Sequence, residues 1–169
     1  INLPNTITAI GGSAFWGTGL TKIILPNKLE RIGGSAFEYT YLKEIAFPTT
    51  LTTIEWGAFG NCNQLETVRI PSSLQHISDY AFGGCSNLKE FKGKYVADNG
   101  RCLIQDDTII AYAEGSGVEY VIPDSVTKIG DGAFWNCRNL TSVSIPEGVS
   151  IIGYAAFWNC FNLQHVNIP

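Results

Sequence analysis

Apolar residues recur along the chain in a fixed order. In the stretch Val126–Pro146, Leu140, Val143 and Ile145 form a Leu-x-x-Val-x-Ile segment. The alternation of Val143 and Ile145 is typical of a strand with one face inward. The same inward pair recurs as Ile23/Leu25, Ile45/Phe47, Val68/Ile70 and Val166/Ile168. A proline follows each pair and marks the end of the strand, because proline has no N–H to give to a ladder.

A second, shorter apolar pair follows the proline, with its two members three residues apart. These pairs are Leu29/Ile32, Leu51/Ile54, Leu74/Ile77, Val126/Ile129 and Val149/Ile152. A turn of glycine or small residues comes next, and then an Ala-Phe dipeptide. The dipeptide lies at 14–15, 36–37, 58–59, 81–82, 133–134 and 156–157. We expect Ala-Phe to fill the interior from a short helical or irregular turn, with the phenylalanines buried.

The two markers keep one period. Prolines stand at 4, 26, 48, 71, 123, 146 and 169, so that their gaps are 22, 22, 23, 52, 23 and 23 residues. The gaps between the Ala-Phe dipeptides are 22, 22, 23, 52 and 23 residues, with the same break. Such a period indicates a solenoid. The sequence therefore predicts an α/β solenoid, mostly β, that forms a right-handed coil of about seven rungs of 22–23 residues.

The break of 52 residues equals 23 + 29 and indicates an insert at 95–117. Lys94 stands where a proline is expected, and Asn99-Gly100 is a strong hairpin signal. We expect strands at 101–105 and 108–113, forming a β-meander in place of the helical side of one repeat. Residues 1–169 then form a single domain. We call the strand before each proline the first strand of a repeat and the one after it the second strand. The first strands are expected to form one sheet through residues near 23–25, 45–47, 68–70, 91–93, 120–122, 143–145 and 166–168.

The segments Ile129–Cys137 and Leu140–Pro146, with their repeats, resemble the BspA-like leucine-rich repeats found on bacterial and protist surface proteins. The resemblance covers essentially the whole chain. The first two units depart from it, because they read Ala-Phe-x-x-Thr-x-Leu and end one residue earlier, at Leu20 and Leu42. The resemblance implies a leucine-rich repeat scaffold, at the cell surface or secreted, for adhesion or protein binding. It carries over no catalytic residue.

Charge and chemistry narrow the function further. The formal net charge is −4 without a run of like charges, which argues against a nucleic-acid surface. No apolar stretch approaches the roughly 18 residues of a membrane span. His76 and His165 fall in different columns of the repeat, and neither neighbours a catalytic arrangement. We therefore expect a non-enzymatic protein without a cofactor or a metal.

The outward residues of the first strands form the predicted partner-binding surface, which we call the strand column. In solenoids the partner usually binds this face, and here we expect an extracellular protein ligand. A merely solvated face is the alternative for any single residue. The column comprises Lys22, Glu44, Thr67, Arg69, Glu90, Lys92, Glu119, Ser142, Ser144, His165 and Asn167.

Trp16, Trp135 and Trp158 share the position after Ala-Phe, and we expect Trp135 and Trp158 to stack. Exposed aromatic rings at this edge can anchor a protein partner or a sugar ring. A carbohydrate-binding module is therefore the alternative function. The alternative without a binding role is that the tryptophans only cover the edge of the repeat.

Four of the five cysteines, Cys62, Cys85, Cys137 and Cys160, also hold one repeat position. They are interpreted as buried thiols acting as small hydrophobes. Disulfides between Cys62 and Cys85, or between Cys137 and Cys160, remain the alternative. The sequence starts and stops within the pattern, so we expect a fragment of a longer protein that covers its ends by end-to-end self-association.

Overall fold

The structure, a computed structural model, describes residues 1–168. Pro169, which the sequence predicts to end the strand at 166–168, lies outside the described residues. The fold is built almost entirely of short strands. They are β1 (Ala9–Ile10), β2 (Arg31–Ile32), β3 (Glu44–Ile45), β4 (Thr53–Ile54), β5 (Thr67–Ile70), β6 (His76–Ile77), β7 (Glu90–Gly93), β8 (Val96–Ala97), β9 (Cys102–Gln105), β10 (Thr108–Tyr112), β11 (Glu119–Val121), β12 (Lys128–Ile129), β13 (Ser142–Ser144), β14 (Ile151–Ile152) and β15 (His165–Asn167). Helix within the described residues is limited to two 3₁₀ turns, Asp98–Gly100 and Glu114–Ser116. The chain is therefore a mostly-β solenoid.

The first strands pair in parallel, but in two sheets rather than one. One sheet has the order β3-β5-β7 and the other β11-β13-β15. Asn2 and Ile24 form a separate, isolated parallel bridge. The predicted single ladder is wrong at two points: residues 23–25 do not pair with β3, and the sheet order ends at β7 and starts again at β11. The insert causes the second break: a side chain at Gly100 would lie only 3.0 Å from the carbonyl oxygen of Phe91, so insert backbone packs directly against β7.

The second strands form two further sheets, in the orders β1-β2-β4-β6 and β14-β12-β10-β9-β8. The two predicted insert strands are confirmed as β9 and β10, which pair antiparallel. β10 also takes the place of a second strand, since it pairs in parallel with β12 and sets Ile109 beside Ile129. The insert is thus one rung of the stack with an added antiparallel hairpin.

The exposed edge of β6 is completed by a side chain instead of a strand. The Gln105 amide accepts a hydrogen bond from the Ile77 N–H at 3.1 Å and donates one to the Gln75 carbonyl at 2.9 Å. These are the two groups, on either side of one residue, that a neighbouring parallel strand would engage. Gln105 therefore stands in for a peptide unit where the ladder is broken.

The Ala-Phe segments are irregular turns, stacked by backbone hydrogen bonds. The N–H groups of Phe15, Phe37 and Phe134 each donate at 2.8 Å to the alanine carbonyl of the following turn. Each turn contains two residues with positive φ: the one before Ala-Phe and the second after it. They are Ser13, Gly17, Ser35, Tyr39, Gly57, Asn61, Tyr80, Gly84, Gly132, Asn136, Ala155 and Asn159.

The core is a stack of the Ala-Phe rings. Phe37, Phe59, Phe82 and Phe134 are fully or almost fully buried, as predicted. The rings of Phe37, Phe59 and Phe82 stack with centroids 5.2 and 5.3 Å apart. Phe15 and Phe157, in the outermost turns, are only half-buried because each has a neighbouring turn on one side. The hairpin joins the two halves of the core, since Ile110 packs into the first half and Ile109 into the second.

Candidate interaction surfaces

The first patch of the strand column lies on β3, β5 and β7. Glu44, Thr67 and Glu90 are aligned across the three strands, and Arg69 is aligned with Lys92. Lys92 forms an ion pair with Glu90 at 2.5 Å. Outside the strands, Lys22 forms one with Glu44 at 3.4 Å. Exposed pairs of this kind contribute little to stability, so this patch is a solvated surface of mixed charge.

The second patch lies on β11, β13 and β15, beyond the insert. Glu119, Ser142 and His165 are aligned across the strands, and Ser144 is aligned with Asn167. This patch is polar and carries fewer charges than the first. The insert separates the two patches, so the predicted continuous column is corrected to two surfaces.

Two depressions border the first patch. One has a volume of about 700 Å³ and is lined by Ile24, Leu25, Glu44 and Phe47, among others. The other, of about 650 Å³, lies among Lys22, Glu44 and their charged neighbours. Ile24, which alternates with Lys22 on the outward face of the chain, adds an exposed apolar side chain.

The three tryptophans do not form one edge. Trp135 and Trp158 stack with centroids 5.7 Å apart and ring planes 22° apart, which confirms the predicted stacking. Trp16 is also exposed, but it contacts Tyr39 in an edge-on arrangement at 5.8 Å. The turns between Trp16 and Trp135 carry Glu38, Gly60 and Gly83 at the tryptophan position.

This interruption creates a groove that the sequence analysis missed. It has a volume of about 260 Å³ and is lined by Glu38, Tyr39, Trp56, Tyr80, Asp131, Gly132, Trp135 and Tyr154. Its floor is the Tyr80 ring, which lies flat where glycines leave room. A side chain at Gly83 or Gly132 would come within 2.2 or 2.5 Å of this ring. Trp56 and Trp135 flank Tyr80, with centroids at 4.8 and 5.2 Å.

The insert brings the two sides of the groove together. Because the insert has no Ala-Phe turn of its own, the Gly84 N–H donates at 3.1 Å to the carbonyl of Trp135. Asp79 reaches across the same junction, accepting from Lys128 Nζ at 3.0 Å and from the Asp131 N–H at 3.3 Å. Sequence spacing offered one signal, the loss of tryptophan at three successive turns, but not which turns become neighbours.

The cysteine column is a packing element. All five cysteines are free. The thiols of Cys62 and Cys85 each donate at 3.1 Å to a phenylalanine carbonyl of the preceding turn. Burial raises the pKa values of Cys85 and Cys137, and it raises that of Cys102 to about 11. These thiols therefore stay protonated at neutral pH and are poor nucleophiles.

Within residues 1–168, no group of three or more His, Cys, Asp or Glu side chains could hold a metal ion. The same part of the chain contains no helix long and apolar enough to cross a membrane.

Solved structures of bacterial leucine-rich repeat proteins have the same fold. A leucine-rich repeat protein from Eubacterium ventriosum is 22% identical with a TM-score of 0.77, and the match covers 98% of this chain and 52% of that one. The pneumococcal vaccine antigen PcpA is 21% identical with a TM-score of 0.75, covering 99% and 50%. A leucine-rich cell surface protein from Faecalibacterium prausnitzii is 22% identical with a TM-score of 0.62, covering 99% and 60%. The chain thus spans about half the length of the first two structures.

A comparison with curated protein sequences gave no match. The profile of the BspA-type leucine-rich repeat region, in contrast, matches in six copies over residues 1–94 and 111–169. These copies comprise the regular rungs on both sides of the insert, together with the last two residues of β10. The chain therefore belongs to the BspA-type leucine-rich repeat family.

Proposed function

We propose that this chain is a non-enzymatic scaffold that binds another protein through the strand column, at a cell surface or as part of a secreted protein. The observation that carries the proposal is the alignment of outward polar side chains on β3, β5 and β7 beside a depression of about 700 Å³. These side chains have no role in the core, which leaves them free for recognition. The exposed apolar side chain of Ile24 adds an anchor of the kind found at interface centres.

The surface location is supported by two of the structural relatives. One is described as a leucine-rich cell surface protein and the other as a vaccine antigen. Adhesion or host contact fits a repeat scaffold that presents a broad surface rather than an enclosed pocket.

Site-specific photo-crosslinking tests the proposal. A crosslinking amino acid at Thr67 or Ser142 should capture a discrete partner from the outer surface of the cells that carry the protein. The same amino acid at Thr127, which is exposed just before the second strand β12, is the control. The double change Arg69→Glu and Lys92→Glu should then weaken binding of the purified partner without lowering the melting temperature. Equal crosslinking from all three positions would argue against a specific strand-column interface.

Carbohydrate binding is the second candidate function. It is favoured by the stacked pair Trp135 and Trp158, the second of which is 54% exposed. Sugar rings stack on aromatic faces of this kind. On this candidate, Trp158→Ala removes glycan-array binding, whereas Trp16→Ala, in the first turn of the solenoid, leaves it unchanged. Equal loss in both variants, or no binding by the unaltered chain, would count against it.

A further inference from the structure

The groove floored by Tyr80 contains a carboxylate that has no partner within the described residues. Glu38 is only 8% exposed, and its carboxylate lines the groove. Among the described residues it takes part in none of the side-chain hydrogen bonds and in none of the six ion pairs. Its oxygens are not among the fully buried polar atoms that lack a partner, so the carboxylate still reaches the solvent in the groove. Glu38 therefore offers the groove an unpaired carboxylate that a ligand can engage.

The charges around Glu38 are not balanced by the protein. Asp131 is a second carboxylate in the groove lining, and no lysine or arginine lines it. Lys128 and Arg31, which precede Asp131 and Glu38 in their rungs, are already paired with Asp79 and Glu55. Asp131 does accept a hydrogen bond from the Tyr154 N–H at 2.8 Å, but this bond brings no positive charge. The groove therefore favours a positively charged occupant.

The walls of the groove select the same kind of ligand. Trp56 and Trp135 flank the almost fully buried Tyr80 ring. The exposed ring of Trp56 and the partly exposed ring of Trp135 offer electron-rich surfaces to a cation. Burial and the charge of Glu38 raise the pKa of Tyr80, so its phenol stays neutral. A planar guanidinium can stack on such rings and donate to a carboxylate at once, whereas an ammonium group does so less well.

We propose that this groove binds the arginine side chain of a protein partner, with Glu38 as its carboxylate and Trp56 and Trp135 as stacking surfaces. The proposal rests on the protein-binding function and adds a second contact point to it, on the turn side of the solenoid. The volume of the groove fits a single side chain: about 260 Å³ is below the roughly 300–1,000 Å³ of pockets for drug-sized ligands. A neutral sugar would leave the charge of Glu38 uncompensated, which makes it the less favoured occupant.

The test uses peptide probes and the complete chain. Acetyl-Gly-Arg-Gly-amide is titrated while the tryptophan indole N–H signals are followed by NMR. The citrulline peptide, which has the same shape without the charge, and methyl β-glucoside are titrated in parallel. We expect the arginine peptide to bind with a dissociation constant on the order of 1–10 mM. The Trp56 and Trp135 signals should shift, and that of Trp16 should not.

Matched variants show whether Glu38 is responsible. Glu38→Gln keeps the size of the side chain and should weaken arginine binding at least about fivefold, as expected for loss of a charge-assisted hydrogen bond. Glu147→Gln removes the same charge at an exposed position outside the groove and should leave binding unchanged. If Glu38→Gln unfolds the chain, Trp56→Ala, at a half-exposed ring, provides the second test.

Three results would overturn the proposal: equal binding of the citrulline peptide, preferential binding of the glucoside, or unchanged affinity in Glu38→Gln and Trp56→Ala. None of them bears on the strand column, because the probes need no protein partner. Conversely, a failure of crosslinking at Thr67 and Ser142 would reject the strand-column interface and leave the arginine site to stand or fall by the peptide titration.

Discussion

At the residue scale, the turns place side chains in a backbone conformation that suits glycine. Gly57 and Gly132 precede Ala-Phe with positive φ, and the equivalent residue of the last turn is Ala155 with φ 50°. The left-handed conformation costs a residue with a Cβ about 1–2 kcal/mol. A residue other than glycine at this position, such as Ala155, therefore carries local strain.

Replacing Ala155 by glycine should relieve that strain. The gain is partly offset by the larger entropy that glycine loses on folding, about 0.5–1 kcal/mol. We expect Ala155→Gly to stabilise the chain by up to about 1 kcal/mol, measured by urea unfolding at equilibrium. Ala156→Gly, at a buried neighbour without positive φ, is the control and should destabilise the chain. A loss of stability in both variants would contradict the strain argument.

The phenylalanine stack gives the second residue-scale prediction. Phe134 is fully buried, and its ring lies 4.8 Å from that of Phe157 and 5.1 Å from that of Tyr112. Phe134→Ala should cost about 3–5 kcal/mol because it leaves a cavity that the turns cannot close. Phe161→Ala, at an exposed ring, should change stability by less than about 0.5 kcal/mol.

Calorimetry separates these outcomes. Since rungs couple only to their neighbours, damage at Phe134 should be local, and the transition should broaden as well as shift. An unchanged melting curve for Phe134→Ala would mean that the core does not depend on the Ala-Phe rings.

At the element scale, the break in the second-strand ladder depends on Gln105. Its side-chain amide satisfies the Ile77 N–H and the Gln75 carbonyl that the missing strand would otherwise bind. Gln105→Ala should destabilise the junction by about 1–2 kcal/mol, the net contribution of two ordinary hydrogen bonds.

Amide hydrogen exchange gives the specific readout. Exchange of the Ile77 N–H should accelerate in Gln105→Ala, because that group would face solvent. The N–H groups of the more distant strand β4 should keep their protection. Gln64→Ala, an exposed glutamine away from the junction, serves as the control. Unchanged exchange at Ile77 would show that water replaces the Gln105 amide without loss.

At the scale of the whole molecule, the last rung exposes an apolar face. Ile151, Ile152, Tyr154 and Phe161 are 53%, 50%, 77% and 72% exposed. Contiguous apolar surface of this kind is normally covered by another rung or another molecule. We expect the 169-residue chain to self-associate through this face at high concentration.

Light scattering over a concentration series tests this expectation. Phe161→Asp and Ile151→Lys should abolish association, since each places a charge at the centre of the contact. Arg69→Glu, on the strand column, should not. A chain that remains monomeric at the highest concentrations would show that this face needs no cover.

The repeat pattern was sufficient to predict the rungs and their interior. The inward strand pairs, the buried phenylalanines, the hairpin strands and the Trp135–Trp158 stack all follow from a period that recurs in sequence. They are predictable because each depends on the alternation within a strand or on contact between adjacent rungs, which a fixed spacing determines.

The tertiary structure alone decided how the rungs meet across the insert. Hairpin packing against β7 divides the strand column into two patches. The same insert brings Tyr80 to Trp135, with centroids 5.2 Å apart, although 135 − 80 = 55 residues separate them. Sequence spacing defines which side of a rung a residue occupies, but contacts between non-adjacent rungs depend on how an irregular segment closes between them. That closure creates the groove around Glu38.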